Sequence, residues 1–438
     1  GNESQERMGL VIDQKHTDYL KRVAERERAP YYEVGEAAND HRLTFTQDGP
    51  SPFDRKTDHL FGSSPKTILE DATKAYPFAD VPMVDVHEAL EKVLQLEAVA
   101  CKDWLTNKVD RCVTGKVAQQ PTVGEIQLPL NNVAAMAIDY KSTKGIATSI
   151  GHAPVPGLIQ SGAGSRLSVA EALSNLVWAP LSHGLKGVSL SANWMWPAKN
   201  PGENARLYEG VQALSEFAIA LGINVPTGKD SLSMTQKYPD GKKVLAPGTV
   251  IVSAVSEVSD LNHIVSPVVD YTATDSELLY VDFSGSAFHL GGSSYAQVLG
   301  KIGVQCPDAD SEVVRRAFAA VQDLILENQL LAGHDVSAGG LITALLEMNF
   351  PNTKGGMTID LSAFDAPIQA VLFAEKPALI IQAKAGAKAI LEKHGAAYTV
   401  IGHIQNKRSV YVISKDWSGS FDVNHYRSVW RKTSDLLD

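Results

Sequence analysis

Apolar residues recur along the chain in two periods, and the switches between them divide it into short alternating elements. Near the start, Met8-Gly9-Leu10-Val11-Ile12 predicts a strand and residues 16–27 a helix, and residues 29–35 and 41–46 predict two more strands. The same order returns near the other end. Ala378-Leu379-Ile380-Ile381 is followed by a helical pattern over 385–394, then by strand patterns over 396–402 and 408–413. In both copies the last strand begins six residues after a glycine, which lies 25 residues beyond Leu10 in one copy and 23 beyond Leu379 in the other. A βαββ tail at both ends implies two related modules, the first present only as its tail, and so predicts truncation. The alternative is coincidence, because βαββ is a common unit.

Residues 47–78 are rich in Pro, Asp, Ser and Lys and read as a connector. Beyond them the pattern predicts a helix over 85–108, a strand over 133–138, helices from Ser168 and over 204–221, and a strand over 249–258. A change of lobe is expected around 260–275. A buried-strand pattern then covers 277–283, and a helix from Ser311 places Val314, Phe318, Val321 and Ile325 on one face. Strands alternating with helices argue for α/β or α+β lobes.

A length of 438 residues gives a prior of about three domains. With 44% hydrophobic and 21% charged residues the chain can build cores, which excludes wholesale disorder. The balance of 40 basic to 50 acidic residues argues against a general nucleic-acid binder while allowing a local phosphate pocket. No uncharged apolar stretch is long enough to predict a membrane span, and the N-terminus lacks the form of a signal peptide. Cys101, Cys112 and Cys306 make no CxxC pair and leave an odd count, which points to a reducing, cytoplasmic setting.

Three glycine-containing segments stand at predicted helix starts: 162–166 (Gly-Ala-Gly-Ser-Arg), 290–294 (Leu-Gly-Gly-Ser-Ser) and 334–340 (His-Asp-Val-Ser-Ala-Gly-Gly). Each is either a tight turn or a loop whose N–H groups receive a phosphate. Gly228-Lys229-Asp230-Ser231 fails the P-loop pattern, because five residues separate Gly222 from Gly228 and Asp230 follows the lysine. Glu171 and Asn175, four apart on a predicted helix, share a face and could hold Mg²⁺ together with Asp335. Against this, Ser168-x-x-Glu171 has the form of a capping box. His152, His183 and His334 fit no paired-ligand spacing and read as structural.

Taken together these segments resemble phosphoribosylformylglycinamidine synthase of the large single-chain type. The resemblance rests on Asn2-Glu3-Ser4-Gln5-Glu6-Arg7, Glu25-Arg26-Glu27-Arg28-Ala29-Pro30 and Asp110-Arg111-Cys112-Val113-Thr114-Gly115. It continues with Ser191-Ala192-Asn193-Trp194-Met195, Gly228-Lys229-Asp230-Ser231-Leu232-Ser233-Met234, Leu290-Gly291-Gly292-Ser293 and His334-Asp335-Val336-Ser337. It implies an α+β/α/β fold: a two-lobed aminoimidazole ribonucleotide synthetase-like module preceded by the βαββ tail of a related module. The implied organisation is a tail over 1–46, a connector over 47–78, an N-terminal lobe over 79–268, a C-terminal lobe over 269–416, and a linker over 417–438 to an absent glutaminase domain.

The resemblance further implies an ATP-dependent ligase of purine biosynthesis. ATP activates the formamide oxygen of formylglycinamide ribonucleotide as a phosphoryl ester, and glutamine-derived ammonia displaces phosphate to give the amidine. Implied cofactors are ATP or ADP and Mg²⁺. The metal positions look like Glu171, Asn175, Asp335 and Asn132, and the nucleotide positions like Ser337 and Asn131. Implied partners are the missing first synthetase module and the glutaminase, with no nucleic acid and no membrane. The chain departs from the family at Asn131-Asn132, where Ala-Asp is usual, so Asn132 replaces a carboxylate. Gln119-Gln120-Pro121-Thr122 stands for Arg-Asp-Gln-Met, and Ala338 stands for an Asp. Two other readings stay open: a non-catalytic nucleotide-binding scaffold, and a stand-alone homodimeric synthetase.

Overall fold

The computed structural model describes residues 7–436 except 64, 65, 67, 75, 110 and 112. Residues 2–6 of the first motif, and Asp110 and Cys112 of the third, lie outside the described residues. Residues 1–69 and 70–438 form two separate compact units.

The first unit holds α1 (Thr17–Arg26), β1 (Arg42–Phe45), β2 (Phe53–Lys56) and α2 (Thr57–Phe61). The expected helix and the strand at 41–46 are present, whereas 8–12 and 29–35 form no strand. A strand needs a neighbouring edge for its backbone groups and a face to bury. Here β1 pairs with β2 alone, and no described residue of the unit is buried; Met8 and Val11 are 88% and 89% exposed. The expected connector contributes β2, whose Asp54 accepts two hydrogen bonds from Arg42 at 2.8 and 2.6 Å.

In the second unit a six-stranded sheet contains β3 (Val117–Gln119), β4 (Ala134–Ala137), β5 (Gly145–His152), β6 (Ser189–Met195) and β7 (Asn224–Ser231). The hairpin strands β8 (Thr235–Lys237) and β9 (Lys243–Leu245) precede its last member, β10 (Thr249–Val258). The order is β3-β4-β5-β10-β6-β7, antiparallel except for β6 and β7. That parallel pair needs a crossover, supplied by a helix between them. The seven-stranded sheet contains β11 (Glu277–Asp282), β12 (Leu330–Val336), β13 (Gly356–Asp360), β14 (Ala378–Ala383), β15 (Tyr398–Gln405), β16 (Ser409–Ile413) and β17 (Ser418–Asp422), in the order β12-β14-β11-β15-β13-β16-β17.

The helices of this unit are α3 (Val86–Val93), α4 (Asp103–Thr106), α5 (Pro154–Ile159), α6 (Ser161–Leu176), α7 (Glu203–Leu221), α8 (Ser294–Val298) and α9 (Ser311–Leu326). They continue with α10 (Gly340–Glu347), α11 (Ile368–Phe373), α12 (Ala387–His394) and α13 (Val423–Asp435). The second βαββ copy, β14-α12-β15-β16, is formed as the pattern predicts.

Two expectations fail here. The helix over 85–108 stops at Val93, because Leu94, Val99 and Cys101 turn inward and the Cys101 N–H donates to the Trp430 carbonyl at 3.1 Å. Residues 417–438, expected as a linker, supply β17 and α13. Phe421, Val423, Tyr426, Val429 and Trp430 are buried at strand and helix spacing, and the Trp430 indole donates to the Val99 carbonyl at 2.8 Å.

Both faces of the seven-stranded sheet are covered. Leu278, Tyr280 and Ile380 face a core shared with α3, α10, α11 and α13. Leu279, Val281 and Ile381 face a second core that includes Phe318 and Leu391 as well as Leu173, Trp178 and Val252 of the first lobe. The lobes are thus joined by one apolar interior. The other face of the six-stranded sheet is open: along β10 the residues Val250, Val252, Ala254 and Val258 point inward, while Ser253 and Val255 stay exposed.

The contact between lobes is close at Gly333, where a Cβ would come within 2.0–2.7 Å of three ring carbons of the fully buried Trp178. Gly333→Ala is therefore expected to cost about 1–3 kcal/mol by overpacking, read as a lower urea midpoint at unchanged slope. An unchanged midpoint would show that the interlobe packing is looser than described.

Candidate functional site

The site is built from the end of β12 and one face of α6. That helix begins at Ser161, seven residues earlier than the sequence pattern suggests, and every side chain in it except Arg166, Glu171 and Asn175 is buried. Small residues make this possible. A Cβ at Gly164 would lie 2.6 Å from Gly157 Cα, and one at Gly151 of β5 would lie 2.2 Å from the Ser168 carbonyl oxygen. Segment 162–166 is therefore helix, not a phosphate loop. Ser168 is interior and donates to the Gly164 carbonyl at 2.9 Å, which removes the capping-box reading of Glu171.

The other two glycine segments do precede helices, but they serve close packing. A Cβ at Gly291 would meet the Gln305 carbonyl oxygen at 2.2 Å, and one at Gly292 would meet Pro156 at 2.9 Å. Gly340, at φ +74°, would meet the Leu372 carbonyl oxygen at 2.6 Å. The Gly228–Ser231 segment is part of β7, with the Lys229 ammonium donating to the Ser231 hydroxyl at 2.8 Å.

Glu171, Asn175 and Asp335 come together across the lobe junction. Asn175 Nδ2 donates to Asp335 Oδ2 at 3.3 Å and to the Glu171 carbonyl at 3.0 Å, and Glu171 Oε2 accepts from the His152 N–H at 2.8 Å. Burial pushes the Glu171 carboxyl up to about 8, the charges of Asp335 and Glu375 adding to the shift and the His152 hydrogen bond opposing it. Burial also raises Asp335, against the pull of His334 and the hydrogen bonds from Asn175 and Ser337.

The remaining expected residues are placed differently. Asn132 is bound on both sides, its Nδ2 donating to the Gly333 carbonyl at 2.9 Å and its Oδ1 lying 2.5 Å from His334 Nδ1. His334 also reaches Glu347 at 3.1 Å, and Asp335 lies 3.6 Å from its Nδ1. Burial lowers the imidazole pKa, but the Glu347 hydrogen bond and the two carboxylate charges outweigh it and leave it raised. Asn132 thus joins the cluster through His334. Asn131 is taken up by its own loop: it accepts from Gln119 Nε2 at 2.7 Å and donates to the Gln120 carbonyl at 2.6 Å. Both asparagines and Asn175 edge a cavity of about 670 Å³ on the sheet face, which Thr148, Ser191 and Ser253 also line.

Sequence reasoning missed Glu375. Its Oε1 accepts from the Ser294 and Gly339 N–H groups, both at 2.8 Å, and burial raises its pKa against those bonds. The one signal for it was an acid directly after the apolar run Leu372-Phe373-Ala374. Burial holds these three carboxyls toward their neutral forms, and a hard cation among them would favour the charged ones. Among the described residues, no group of three or more His, Cys, Asp or Glu is disposed to hold a metal ion, so such a cation would need other oxygen donors.

Two family models match, the FGAR-AT PurM N-like domain over residues 101–257 and the AIR synthase related protein C-terminal domain over 279–415. Phosphoribosylformylglycinamidine synthase of Homo sapiens is 36% identical over 467 aligned residues, covering 100% of this chain and 35% of the relative. The probable chloroplastic/mitochondrial phosphoribosylformylglycinamidine synthase of Arabidopsis thaliana is 36% identical over 460, covering 100% and 32%. The chain thus spans about a third of the length of these relatives. The solved structure of T. maritima PurL complexed with FGAR superposes with a TM-score of 0.57 at 13% identity, covering 79% of this chain and 54% of that one. T. maritima PurL complexed with ATP gives 0.56 at 13% identity, covering 79% and 53%. The fold is the two-lobed one expected.

An acid whose folded-state pKa stands at about 8 rather than 4.5 binds more protons folded than unfolded. Its stabilising effect is complete below pH 4.5 and is lost as pH rises through about 8. With a chelator present, the urea midpoint should fall over that range, and Glu171→Gln should flatten the fall. Equal slopes in the two proteins would contradict the assignment.

Proposed function

We propose, for a chain that belongs to the phosphoribosylformylglycinamidine synthase family, that residues 70–438 are an ATP- or ADP-binding synthetase module in which Glu171, Asn175 and Asp335 hold Mg²⁺. The observation that carries this reading is the approach of two carboxylates from opposite lobes, Asp335 accepting from Asn175 and Glu171 near enough to feel the charge of Asp335, both driven above their ordinary range by burial. Magnesium takes oxygen donors and is commonly held by one or two carboxylates with waters and phosphate oxygens, so these residues fit it. When bound, it would neutralise phosphate charge and favour phosphoryl chemistry. Ser337, hydrogen-bonded to Asp335, and Asn131, on the cavity edge, are the residues proposed to meet the nucleotide. The cavity of about 670 Å³ falls within the usual range for small-ligand sites.

In the whole protein the module would serve conversion of formylglycinamide ribonucleotide to formylglycinamidine ribonucleotide, using ATP and glutamine-derived ammonia. A preceding synthetase module and a glutaminase would supply the rest. The open face of the six-stranded sheet outside that cavity, where Met136 and Ile146 are 39% and 45% exposed, is the surface proposed to take the other module. A cytoplasmic setting accords with the free thiols of Cys101 and Cys306, and no described helix is long and apolar enough to cross a membrane.

A second reading has its own support. Asn132 stands where a carboxylate is usual, and both its polar atoms are engaged by Gly333 and His334. On this reading the module holds its nucleotide without turning it over.

Calorimetric titration of ADP and ATP with and without Mg²⁺ tests the site. Binding should require Mg²⁺ and weaken about tenfold or more in Glu171→Ala and in Asp335→Ala, the scale of one lost charge-assisted contact. A folded chain that binds neither nucleotide would overturn the first reading. ATP hydrolysis stimulated by formylglycinamide ribonucleotide would overturn the second.

A further inference from the structure

We propose that Glu375 is a positioning residue: its carboxylate staples the turn before α8 to the turn before α10, and thereby sets Asp335 and Ser337 toward the cluster. This rests on the reading of that cluster as a Mg²⁺ and nucleotide site. The two turns are far apart in sequence and meet on a single oxygen. Glu375 Oε1 accepts from Ser294 N–H and Gly339 N–H, each at 2.8 Å, and the Ser294 hydroxyl adds a further bond.

Besides Glu375, the turn from β12 to α10 is held by the Thr343 hydroxyl, which donates to the Gly339 carbonyl at 3.0 Å, and by the packing of Gly340 against Leu372. Gly339 and Gly340 stand in succession at φ +90° and +74°, so the backbone there has the freedom of glycine at both positions. The Gly340 N–H closes onto the Ser337 carbonyl at 3.0 Å, which leaves the Gly339 N–H to the carboxylate. The same oxygen occupies the first N–H of α8. Neither glycine turn can offer that N–H to a phosphate while Glu375 holds it. Stapling, not phosphate cradling, is the role the hydrogen bonds support.

Glutamine keeps an acceptor oxygen at this position and loses the charge; alanine loses both. Backbone hydrogen exchange at residues 291–296 and 337–341, measured without ligand, and calorimetric affinity for Mg²⁺ with ADP separate the possibilities. Glu375→Ala should raise exchange at both turns and weaken binding about tenfold or more, with Glu375→Gln staying within about threefold of the unmodified chain. Unchanged exchange in Glu375→Ala would overturn the staple, as would a glutamine variant as weak as the alanine one, because charge alone would then act. If the unmodified chain does not bind Mg²⁺ with ADP, the cluster reading falls separately, and the exchange comparison still decides the staple. Should Glu375→Ala fail to fold, Glu375→Met against Glu375→Gln makes the same comparison at near-constant volume.

Discussion

The packing of α6 against β5 on one side and against the helices of both lobes on the other is the constraint from which residues 70–438 take their arrangement. Gly151 and Gly164 leave the backbones in contact, with no room for a methyl group. A helix enclosed in this way keeps small polar residues only where they can bond within it, as Ser168 does, and long polar side chains only where it borders a gap between elements. Its three longer polar side chains each serve such a gap. Arg166 makes a bidentate pair with Asp308 at 2.8 and 2.7 Å, tying α6 to the loop before α9. Glu171 and Asn175 face the end of β12. The site is therefore a by-product of how the lobes are joined, and its geometry is as rigid as that interior.

Electrostatics completes the picture. Enclosed carboxylates are costly unless paired, and here the imidazole of His334 is lodged between Glu347 and Asn132. Burial is what raises Glu171, Asp335 and Glu375, with the charges of Asp335 and Glu375 adding to the shift at Glu171 alone. The cost of enclosing these carboxyls belongs to the folded arrangement and is offset by the apolar cores around them.

Much of the fold was legible because its elements carry clean periods. Val314, Phe318, Val321 and Ile325 mark α9, and the alternation along residues 249–258 marks β10, since each buries one face only. The start of α6 was not legible, because Gly-Ala-Gly-Ser reads as a loop until a neighbouring backbone is known to lie against it. The strands expected at 8–12 and 29–35 failed for the converse reason: local propensity offers a strand but cannot supply the sheet it needs. Within the site, Glu171, Asn175 and Asp335 were found from spacing and family resemblance and do converge. Asn131 turns instead to its own loop, and Glu375 escaped notice because its partners are backbone groups far away in sequence, which leave no trace in residue type.

The shared interior also bears on how the chain is made. Leu279 of β11 pairs with Ile381, and the core beneath it reaches from Val133 to Ala396. A ribosome releases the first lobe long before α9 and α12 exist to cover Leu173 and Trp178. Until residue 396 has emerged, the nascent chain carries half of an apolar core open to water, the condition in which large domains aggregate or recruit chaperones. The lobes are two in architecture but one in biosynthesis, and a gene split near codon 268 would yield two products that each lack half of the same interior.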